Sequence, residues 1–465
     1  MKVEKKQDRP SAKIEIIRRN LRKILKKREE FLLRRFLSRL HPGEIADAIE
    51  DFSVDEMVEI LMALEDPKKM AKVLTYMNED VAADIVEKLP GDIVKKIFTY
   101  LPSDEIIFIM DEIEEPGEKE EIEDIVDELP QEKKRKITSL RLFPEDSAGR
   151  LMVPTFYSVH PEEKIGDVLK EIKGLEDVET LPYVYVVDSE NRLLGVASIK
   201  QLVSSDPDQP VGEIMNTQLI TVDPYMDQEE VARLFARYNL VQLPVVDNSG
   251  RILGIITIDD VVDVIREEAE EDLLKMAGAG ESLIESLDVR KNVARRLPWL
   301  FGSWVGGIVE IEVLHYYEPT ISKLAILASF MPIILGMGGN IGQQSAAIVI
   351  AGLASGRVKL KDSFELLKKQ VITGFVLGAI YGILVGLIAA FRSTQIPVFT
   401  LVVVLSMTAE MTIASFVGTF LPLFFAFIKV DPAVATGPFI STTMDIIGIF
   451  TYFTTSIFLL KGYLA

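Results

Sequence analysis

The stretch Asp431-Pro-Ala-Val-Ala-Thr-Gly-Pro-Phe-Ile-Ser-Thr-Thr-Met-Asp445 decides how this 465-residue chain is interpreted. It opens the last apolar segment and places a carboxylate, Asp445, near the middle of that segment. A carboxylate at this depth in a membrane is costly unless it faces water, a cation or a partner. No lysine or arginine lies at a comparable depth to neutralise it. Cation coordination is the most economical arrangement, so Asp445 is predicted to bind a cation.

Four further apolar segments precede this one. A helix needs about 20 residues to cross the roughly 30 Å hydrocarbon core of a bilayer. Five segments reach that length: Pro298–Tyr317, Leu324–Ala354, Val371–Phe391, Val398–Ile428 and Pro432–Leu464. Residues 298–465 are therefore predicted to form an all-α transmembrane domain with five helices.

Basic residues set the predicted orientation. The connection between the second and third segments contains Arg357, Lys359, Lys361, Lys368 and Lys369. The next connection contains only Arg392. Because positively charged loops stay on the cytosolic side, we expect the N-terminal region to be cytosolic and, with five spans, the C-terminus to be outside. The first residues are charged rather than apolar, which predicts a multi-pass protein of the cell (plasma) membrane without a secretory signal peptide.

Polar and small residues distinguish the inner segments. In the second, Pro332 and the run Gly336-Met-Gly-Gly-Asn-Ile-Gly-Gln-Gln-Ser345 are expected to interrupt the helix, which is tolerated at membrane depth only where the backbone lines a cavity or is buried in protein. Four-residue spacing of glycines in the third segment predicts close helix packing. Glu310 and Glu312 lie toward the outer end of the first segment, within reach of the interface. Glu410, midway along the fourth, is a weaker candidate than Asp445.

The acidic charge of the chain lies before the membrane segments. The net charge is −20, and the residues before Pro298 hold 42 Lys+Arg and 63 Asp+Glu, against 9 and 8 from Pro298 onward. An acidic surface argues against nucleic acid as a partner and attracts cations. The chain has no cysteine and three histidines, which excludes thiolate metal sites and disfavours an imidazole-rich zinc site.

A short repeat organises the first part of this acidic region. Residues 1–37 are basic, with apolar residues at helical spacing, and predict an amphipathic helix that packs on its own domain or a partner rather than on the membrane surface. Apolar residues that end one helix before a turn then recur 12 or 13 residues apart, at Leu40, Phe52, Leu64, Met77, Leu89 and Leu101. Helices this short cannot bury an apolar stripe alone. Residues 38–140 are therefore predicted to stack into an α-helical superhelical N domain.

A second repeat follows, with an offset of 59 residues. Val186-Val-Asp-Ser-Glu-Asn-Arg-Leu-Leu-Gly195 matches Val245-Val-Asp-Asn-Ser-Gly-Arg-Ile-Leu-Gly254. Each copy predicts a helix followed by strand, turn, strand and helix. Residues 141–265 resemble a tandem CBS domain pair, an α+β module that regulates other domains and often binds adenine nucleotides or metals. Residues 266–297 are charged and predict a connecting (plug) helix that leads to the membrane.

Over essentially its full length, the chain resembles the MgtE family of Mg²⁺ channels and transporters. The order of its domains is that of the family, and Leu335–Ser345 and Asp431–Tyr452 are similar to the family's two signatures. The resemblance implies a homodimer in the lipid bilayer, with a pore between subunits lined by the second and fifth spans. Asp445 then faces its symmetry mate, and the two carboxylates are expected to hold Mg²⁺ through its tightly held waters. The other implied pore-lining residues are Gly338, Gly339, Asn340, Gly437, Pro438 and Ser441.

The resemblance also implies feedback by cytosolic Mg²⁺, which bridges the N and CBS domains and lets the connecting helix close the pore. The implied regulatory metal ligands are Asp104, Glu229, Asp260, Asp263, Glu268, Glu271 and Asp272. Lys72 and Phe108 stand where a further N-domain site of the family uses acids, so that site is expected to be weakened or absent. Thr257 and Asp260 fit a ribose-binding Thr/Ser-x-x-Asp pattern and imply ATP at the CBS pair, whereas Gln201 replaces the acid in the first repeat.

The function expected from these features is Mg²⁺-selective, Mg²⁺-gated uptake and magnesium homeostasis. One alternative is a broader transporter or exchanger of divalent cations such as Co²⁺ and Mn²⁺. The other is a membrane enzyme regulated by the CBS pair. The sequence contains no His cluster, nucleophile–base pair or phosphate-binding Gly-x-x-x-x-Gly-Lys-Ser/Thr motif that would support the enzyme, so no catalytic residue is assigned.

Overall fold

A computed structural model of the chain describes residues 9–113, 116–174, 181–277, 289–392, 397–435 and 437–464. It divides into two compact units, one up to Val264 and the other from Ile265. Residues 1–8 of the predicted basic helix and residues 278–288 of the predicted connecting helix lie outside the described residues.

The N-terminal part of the first unit is a stack of short helices. They are α1 (Arg9–Lys27), α2 (Glu30–Leu37), α3 (Pro42–Ile49), α4 (Val54–Met62), α5 (Pro67–Thr75), α6 (Glu79–Lys88), α7 (Gly91–Tyr100), α8 (Ser103–Glu112), α9 (Pro116–Asp127) and α10 (Gln131–Leu140). From α3 to α8 the helices begin 12 or 13 residues apart, in the predicted period. Each packs against the second helix along, α3 on α5 and α4 on α6 for example. The prediction of a superhelix is confirmed.

Local sequence explains where these helices begin. The Ser53 hydroxyl accepts a hydrogen bond from the Glu56 backbone N–H at 3.4 Å, and the Glu56 carboxylate accepts one from the Ser53 N–H at 3.1 Å. This reciprocal capping satisfies donors that the first turn of α4 leaves unpaired. The basic helix α1 packs on α3, with Arg18 donating to the carbonyl of Asp47 at 2.9 Å and Leu21 fully buried. The basic residues of α1 therefore serve its own domain, one of the two arrangements predicted for them.

The two sequence repeats form two similar α/β modules. After α11 (Ala148–Leu151), the first contains β1 (Ser158–Val159), α12 (Ile165–Gly174), β2 (Tyr183–Val187), β3 (Leu193–Ser198) and α13 (Ile199–Ser204). The second contains α14 (Gln228–Tyr238), β4 (Gln242–Val246), β5 (Ile252–Thr257) and α15 (Ile258–Ala277), with a 3₁₀ turn at Val211–Glu213 between the two. The antiparallel pair β2–β3 recurs as β4–β5 at the offset of 59, with Val184 opposite Ala197 and Leu243 opposite Ile256.

The membrane unit is helical. It contains α16 (Val289–Lys323), α17 (Ile326–Ala354), α18 (Ser363–Arg392), α19 (Pro397–Phe427), α20 (Pro438–Leu459) and α21 (Lys461–Leu464), with 3₁₀ turns at Leu360–Asp362 and Pro432–Ala435. Within the described residues, five helices, α16 to α20, are long and apolar enough to cross a membrane, as predicted. The fifth is shorter than predicted because the chain turns at Gly437, whose positive φ of 56° favours glycine.

The expected break in the second span is wrong. Helix α17 is continuous from Ile326 to Ala354, although it contains Pro332 and the glycine-rich run. Packing outweighs helix propensity here: a Cβ at Gly418 of α19 would lie 2.9 Å from the carbonyl carbon of Gly342. The glycines of α17 thus allow close contact with a neighbouring helix rather than ending their own.

The glycines of α18 fulfil the packing prediction. A Cβ at Gly378 would lie 2.9 Å from the Cα of Thr408, and one at Gly382 would lie 2.8 Å from the carbonyl oxygen of Val404. Both neighbours belong to the backbone of α19, which cannot move aside locally. Helices α18 and α19 therefore approach each other along a glycine face and form a tightly packed pair.

Candidate cation sites

The predicted pore residue lies in the second turn of α20. Asp445 is half-buried, and its carboxyl group is hydrogen-bonded to that of Glu310 on α16. One turn before Glu310, Gly306 packs directly against Thr442, one turn before Asp445. The glycine thus brings α16 close enough for the two carboxyl groups to meet. Sequence analysis assigned Glu310 to the interface and missed this pair; the signal was the Gly306-x-x-x-Glu310 spacing.

A third carboxylate lies deeper in the membrane unit. Glu410 of α19 is 1% exposed, and neither of its oxygens has a hydrogen-bond partner. Gly338 of α17 and Gly448 of α20 border its side chain: a Cβ at either glycine would lie 2.8 Å from the Glu410 carboxyl carbon. Asp445 acts on Glu410 electrostatically. Gly338, predicted to line the pore, is therefore buried and in contact with Glu410.

The other predicted pore residues of α17 differ in exposure. Asn340 is exposed and Gly339 is half-buried with open space on its Cβ side. Gln343 and Gln344 are also exposed, so α17 presents amide side chains at i, i+3 and i+4. At membrane depth such a polar face has to meet water or protein rather than lipid tails.

The remaining predicted pore residues surround the start of α20. Gly437 is the residue before the helix, Pro438 is its first residue, and Ser441 and Asp445 follow at four-residue intervals from Gly437. Ser441 donates its backbone N–H to the Gly437 carbonyl at 3.2 Å. Gly437, Ser441 and Asp445 consequently share one face of this end of α20.

The cytosolic unit contains a second acidic site, between α8 and the start of α15. Asp104 is 3% exposed, and its Oδ1 atom has no hydrogen-bond partner. Asp260 and Asp259 act on Asp104 electrostatically, and Asp260 and Asp263 act on the neighbouring Glu105. The structure thus brings together three of the predicted regulatory residues, Asp104, Asp260 and Asp263, and adds Glu105 and Asp259, which sequence analysis did not single out.

Burial and mutual repulsion shape the protonation of this acidic site. Burial, together with the Asp260 carboxylate, raises the pKa of Asp104 to about 7. Burial likewise raises the pKa of Asp260 to about 6, although the Thr257 hydroxyl opposes the shift. Burial also lowers the pKa of Lys133 to about 8, against the attraction of Asp104. Neighbouring acids that resist ionisation and a buried oxygen without a partner fit a place for a cation.

Glu229 lies apart from this acidic site. Its carboxylate pairs with Arg233, one turn further along α14, at 2.5 Å. Thr257 and Asp260, the predicted ribose ligands, bond to each other: the Thr257 hydroxyl donates to the Asp260 carboxylate and caps the start of α15. Ser198 and Gln201 make the equivalent cap of α13 in the first repeat. Helix capping therefore accounts for the Thr/Ser-x-x-Asp pattern, whatever else it does.

The predicted regulatory residues Glu268, Glu271 and Asp272 lie on the part of α15 that belongs to the membrane unit. Glu271 forms an ion pair with Lys275, which also donates to Asp431 at 2.7 Å. Lys275 is 8% exposed. Although burial opposes it, the hydrogen bonds to Asp431 and Glu271 raise the pKa of Lys275 and keep the ammonium charged. Sequence analysis missed this lysine. Among the described residues, no three His, Cys, Asp or Glu side chains converge closely enough to hold a bare metal ion.

Comparisons with known proteins cover both units. Family models match an MgtE intracellular N domain at residues 40–146, CBS domains at 148–207 and 211–267, and an MgtE divalent cation transporter at 331–455. The magnesium transporter MgtE of Thermus thermophilus is 32% identical over 449 residues, which cover 95% of this chain and 98% of that protein. The magnesium transporter MgtE of Bacillus subtilis is 29% identical over 436 residues, 91% of this chain and 96% of that protein.

A solved structure extends the comparison to the cytosolic unit. The crystal structure of the cytosolic domain of the Mg²⁺ channel MgtE in complex with ATP is 32% identical and has a TM-score of 0.50, covering 53% of this chain and 99% of that chain. The order of domains predicted from the sequence is thereby confirmed, and the enzyme alternative is set aside because these relatives are transporters. The chain belongs to the MgtE family of magnesium transporters, with its N-terminal domains in the cytosol and five helices able to span the membrane.

Proposed function

We propose that two copies of this chain form a Mg²⁺-selective channel in the cell membrane, with Asp445 as the pore residue and the C-terminus outside. The observation that carries the proposal is the half-buried Asp445 carboxyl group, which lies on the same face of α20 as Ser441 and Gly437. The exposed amide face of α17 supports a second copy or a water-filled path beside it. A five-helix unit that exposes such a face to lipid would be unstable.

The chemistry of Mg²⁺ suits this arrangement. The ion dehydrates reluctantly and usually keeps several waters, so one carboxylate from each subunit is enough to hold it through that shell. Backbone carbonyls near Gly437 and hydroxyls such as that of Ser441 offer further acceptors for water hydrogens. Charge then comes from the carboxylates, and size selection comes from the width of the pore.

The test is Mg²⁺ influx into proteoliposomes that contain the full chain. Asp445→Asn should abolish influx while the oligomer, measured by gel filtration in detergent, stays assembled. Glu312→Gln is the matched control, because Glu312 is an exposed carboxylate on α16. Near-normal influx in Asp445→Asn would remove this residue from the pore.

Electrical recording distinguishes the channel from the exchanger alternative. A channel passes current when Mg²⁺ moves down its gradient, whereas electroneutral exchange passes none. Influx that requires a counter-ion and carries no current would favour the exchanger. Parallel measurements with Co²⁺, Mn²⁺ and Ca²⁺ then define the selectivity of the pathway.

Cytosolic Mg²⁺ is proposed to close the channel through the acidic site between α8 and α15. Asp104, Asp260 and Asp263 would hold the ion, with Glu105 and Asp259 adding negative charge. The unpartnered Oδ1 of Asp104 supports this assignment. Glu268, Glu271 and Asp272 add a second group of acids on α15, and Glu229 remains a candidate ligand despite its ion pair with Arg233.

Single-channel recording with Mg²⁺ on the cytosolic face tests this regulation. Asp104→Asn should raise the open probability at millimolar Mg²⁺, and the combined neutralisation of Glu268, Glu271 and Asp272 should do the same. Asp92→Asn is the control, since Asp92 is exposed and pairs with Lys96 of the same helix. Unchanged inhibition in both acidic variants would locate the sensor elsewhere.

ATP is proposed as a second ligand of the CBS pair, at Thr257 and Asp260. Asp260 serves both the helix cap and the acidic site, so nucleotide and cation would influence each other there. Equilibrium binding of ATP to the full chain should weaken in Thr257→Ala. Ser198→Ala removes the equivalent cap in the first repeat and is the matched control. Equal losses in the two variants would indicate an effect of capping alone.

A further inference from the structure

Two buried polar side chains on α19 lack partners, and they lie one helical turn apart. Ser406 is fully buried and Glu410 is 1% exposed. The Ser406 hydroxyl and both Glu410 carboxylate oxygens have no hydrogen-bond partner. Residues at i and i+4 share a helix face. Other hydroxyls of this helix, such as those of Thr408 and Thr412, donate to the carbonyl four residues earlier, so the Ser406 hydroxyl is exceptional among them.

The surroundings of Glu410 are shaped to admit its side chain but provide no counter-charge. Gly338 on α17 and Gly448 on α20 border the carboxyl group and present no side chain to it. Among the described charged residues of the neighbouring helices, Asp445 is the one that acts on Glu410, and it carries the same sign. A buried carboxylate without a partner is costly in an apolar interior. A ligand that supplies positive charge removes this cost.

We propose that Glu410 and Ser406 form a buried binding site for a monovalent cation, H⁺ or Na⁺, separate from the cation site at Asp445. Unit positive charge matches the single carboxylate, whereas a divalent ion would leave an excess positive charge in the apolar interior. Mg²⁺ also keeps waters for which a space enclosed by two glycines offers little room. The Ser406 hydroxyl supplies an oxygen ligand for Na⁺, or an acceptor for a proton held on the carboxyl group.

The test measures binding to the full-length protein in lipid nanodiscs without Mg²⁺, so it does not depend on the proposed channel activity. The sodium arm measures ²²Na⁺ bound per chain against a choline background. The proton arm measures the infrared band of a protonated carboxyl group at neutral pH. The wild-type protein should show either one Na⁺ per chain or that band, and Glu410→Gln should lose it. Ser406→Ala should weaken Na⁺ binding at least tenfold or shift the band.

Glu312→Gln is the matched control and should change neither signal. Because Glu310 and Asp445 also share a hydrogen bond, the double variant Glu310→Gln/Asp445→Asn removes their contribution and should retain the signal of Glu410. That variant also decides the matter if Glu410→Gln does not fold. Absence of both signals in the wild-type protein, or their persistence in Glu410→Gln, overturns the proposal.

Discussion

Adjacent glycines of α17 have opposite surroundings, which makes them a matched pair at the scale of single residues. A Cβ at Gly338 would lie 2.9 Å from the Cγ of Glu410 and overlap its carboxylate, whereas a Cβ at Gly339 meets nothing within 4 Å. Overpacking of this kind costs about 1–3 kcal/mol, more than the roughly 1 kcal/mol that alanine gains over glycine inside a helix. Gly338→Ala should therefore lower the thermal stability of the membrane unit, and Gly339→Ala should not.

The double variant Gly338→Ala/Glu410→Ala tests the origin of that loss. If the clash with Glu410 is the cause, removing the larger side chain should make the Gly338 substitution nearly neutral. Thermal unfolding in detergent, followed by a fluorescent probe, gives the comparison. Equal losses with and without Glu410 would assign the effect to another contact.

The buried acid Asp104 makes the cytosolic unit sensitive to pH. Its pKa is raised from the ordinary value of 3.8 to about 7, so between these values the folded protein holds a proton that the unfolded chain has lost. Stability should fall as the pH rises through this window, by up to about 1.4 kcal/mol per pH unit, and should level off above it. Asp260, with a pKa raised to about 6, acts in the same direction over a narrower range.

Hydrogen exchange at the start of α8 and of α15 measures this pH dependence. After correction for intrinsic exchange rates, protection should be lower at pH 8 than at pH 6, and added Mg²⁺ should restore it at pH 8. Asp104→Asn should flatten the dependence because the amide does not ionise. Protection that rises with pH in the wild-type protein would contradict the assignment.

At the scale of the secondary-structure element, Lys275 joins α15 to the loop before α20. Its ammonium lies between Glu271 and Asp431, the place that a divalent cation would otherwise take. Lys275→Met should leave two facing carboxylates and make this contact dependent on Mg²⁺, whereas Lys275→Arg should keep it independent. A disulfide engineered between α15 and this loop reports the contact, because the chain has no cysteine of its own. Cross-linking that ignores Mg²⁺ in Lys275→Met would disprove this role.

Elements also show what sequence could and could not predict. The helix period of the N domain and the offset of 59 between modules were readable because capping residues and strand patterns are local signals. The break expected in α17 was wrong because glycine and proline also serve packing, and the partner surfaces on α19 and α20 are distant in sequence. Lys275 escaped notice for the same reason: Asp431 lies 156 residues away.

The predicted sites divide along this line as well. Asp445 was found because an ionisable residue in an apolar segment is conspicuous without any partner. Its hydrogen bond to Glu310 requires knowledge of which helix faces which, and periodicity alone does not supply that. Asp104 and Asp260 came from family resemblance, and the structure shows why they belong together: α8 packs beside the start of α15, far along the chain.

At the scale of the whole molecule, membrane topology is the property to test. An odd number of spans and the basic residues between α17 and α18 place the C-terminus outside in the proposed arrangement. Single cysteines at Gly462 and at Lys361, both exposed positions, should respond differently to a membrane-impermeant thiol reagent added to intact cells. Gly462→Cys should be labelled, and Lys361→Cys should be labelled only after lysis. The reverse pattern would invert the topology.

One apolar core extends through the N domain into the second CBS module, whereas the first module has a core of its own. Cooperative unfolding follows shared cores, so the superhelix and the second module should melt together and the first module can open alone. Asp104 and Asp260 lie within the shared part. Any weakening substitution along the superhelix, even one many helices away, thus reduces the population of molecules in which these two carboxylates face each other, and inherited sequence variation there would change magnesium feedback without touching a ligand.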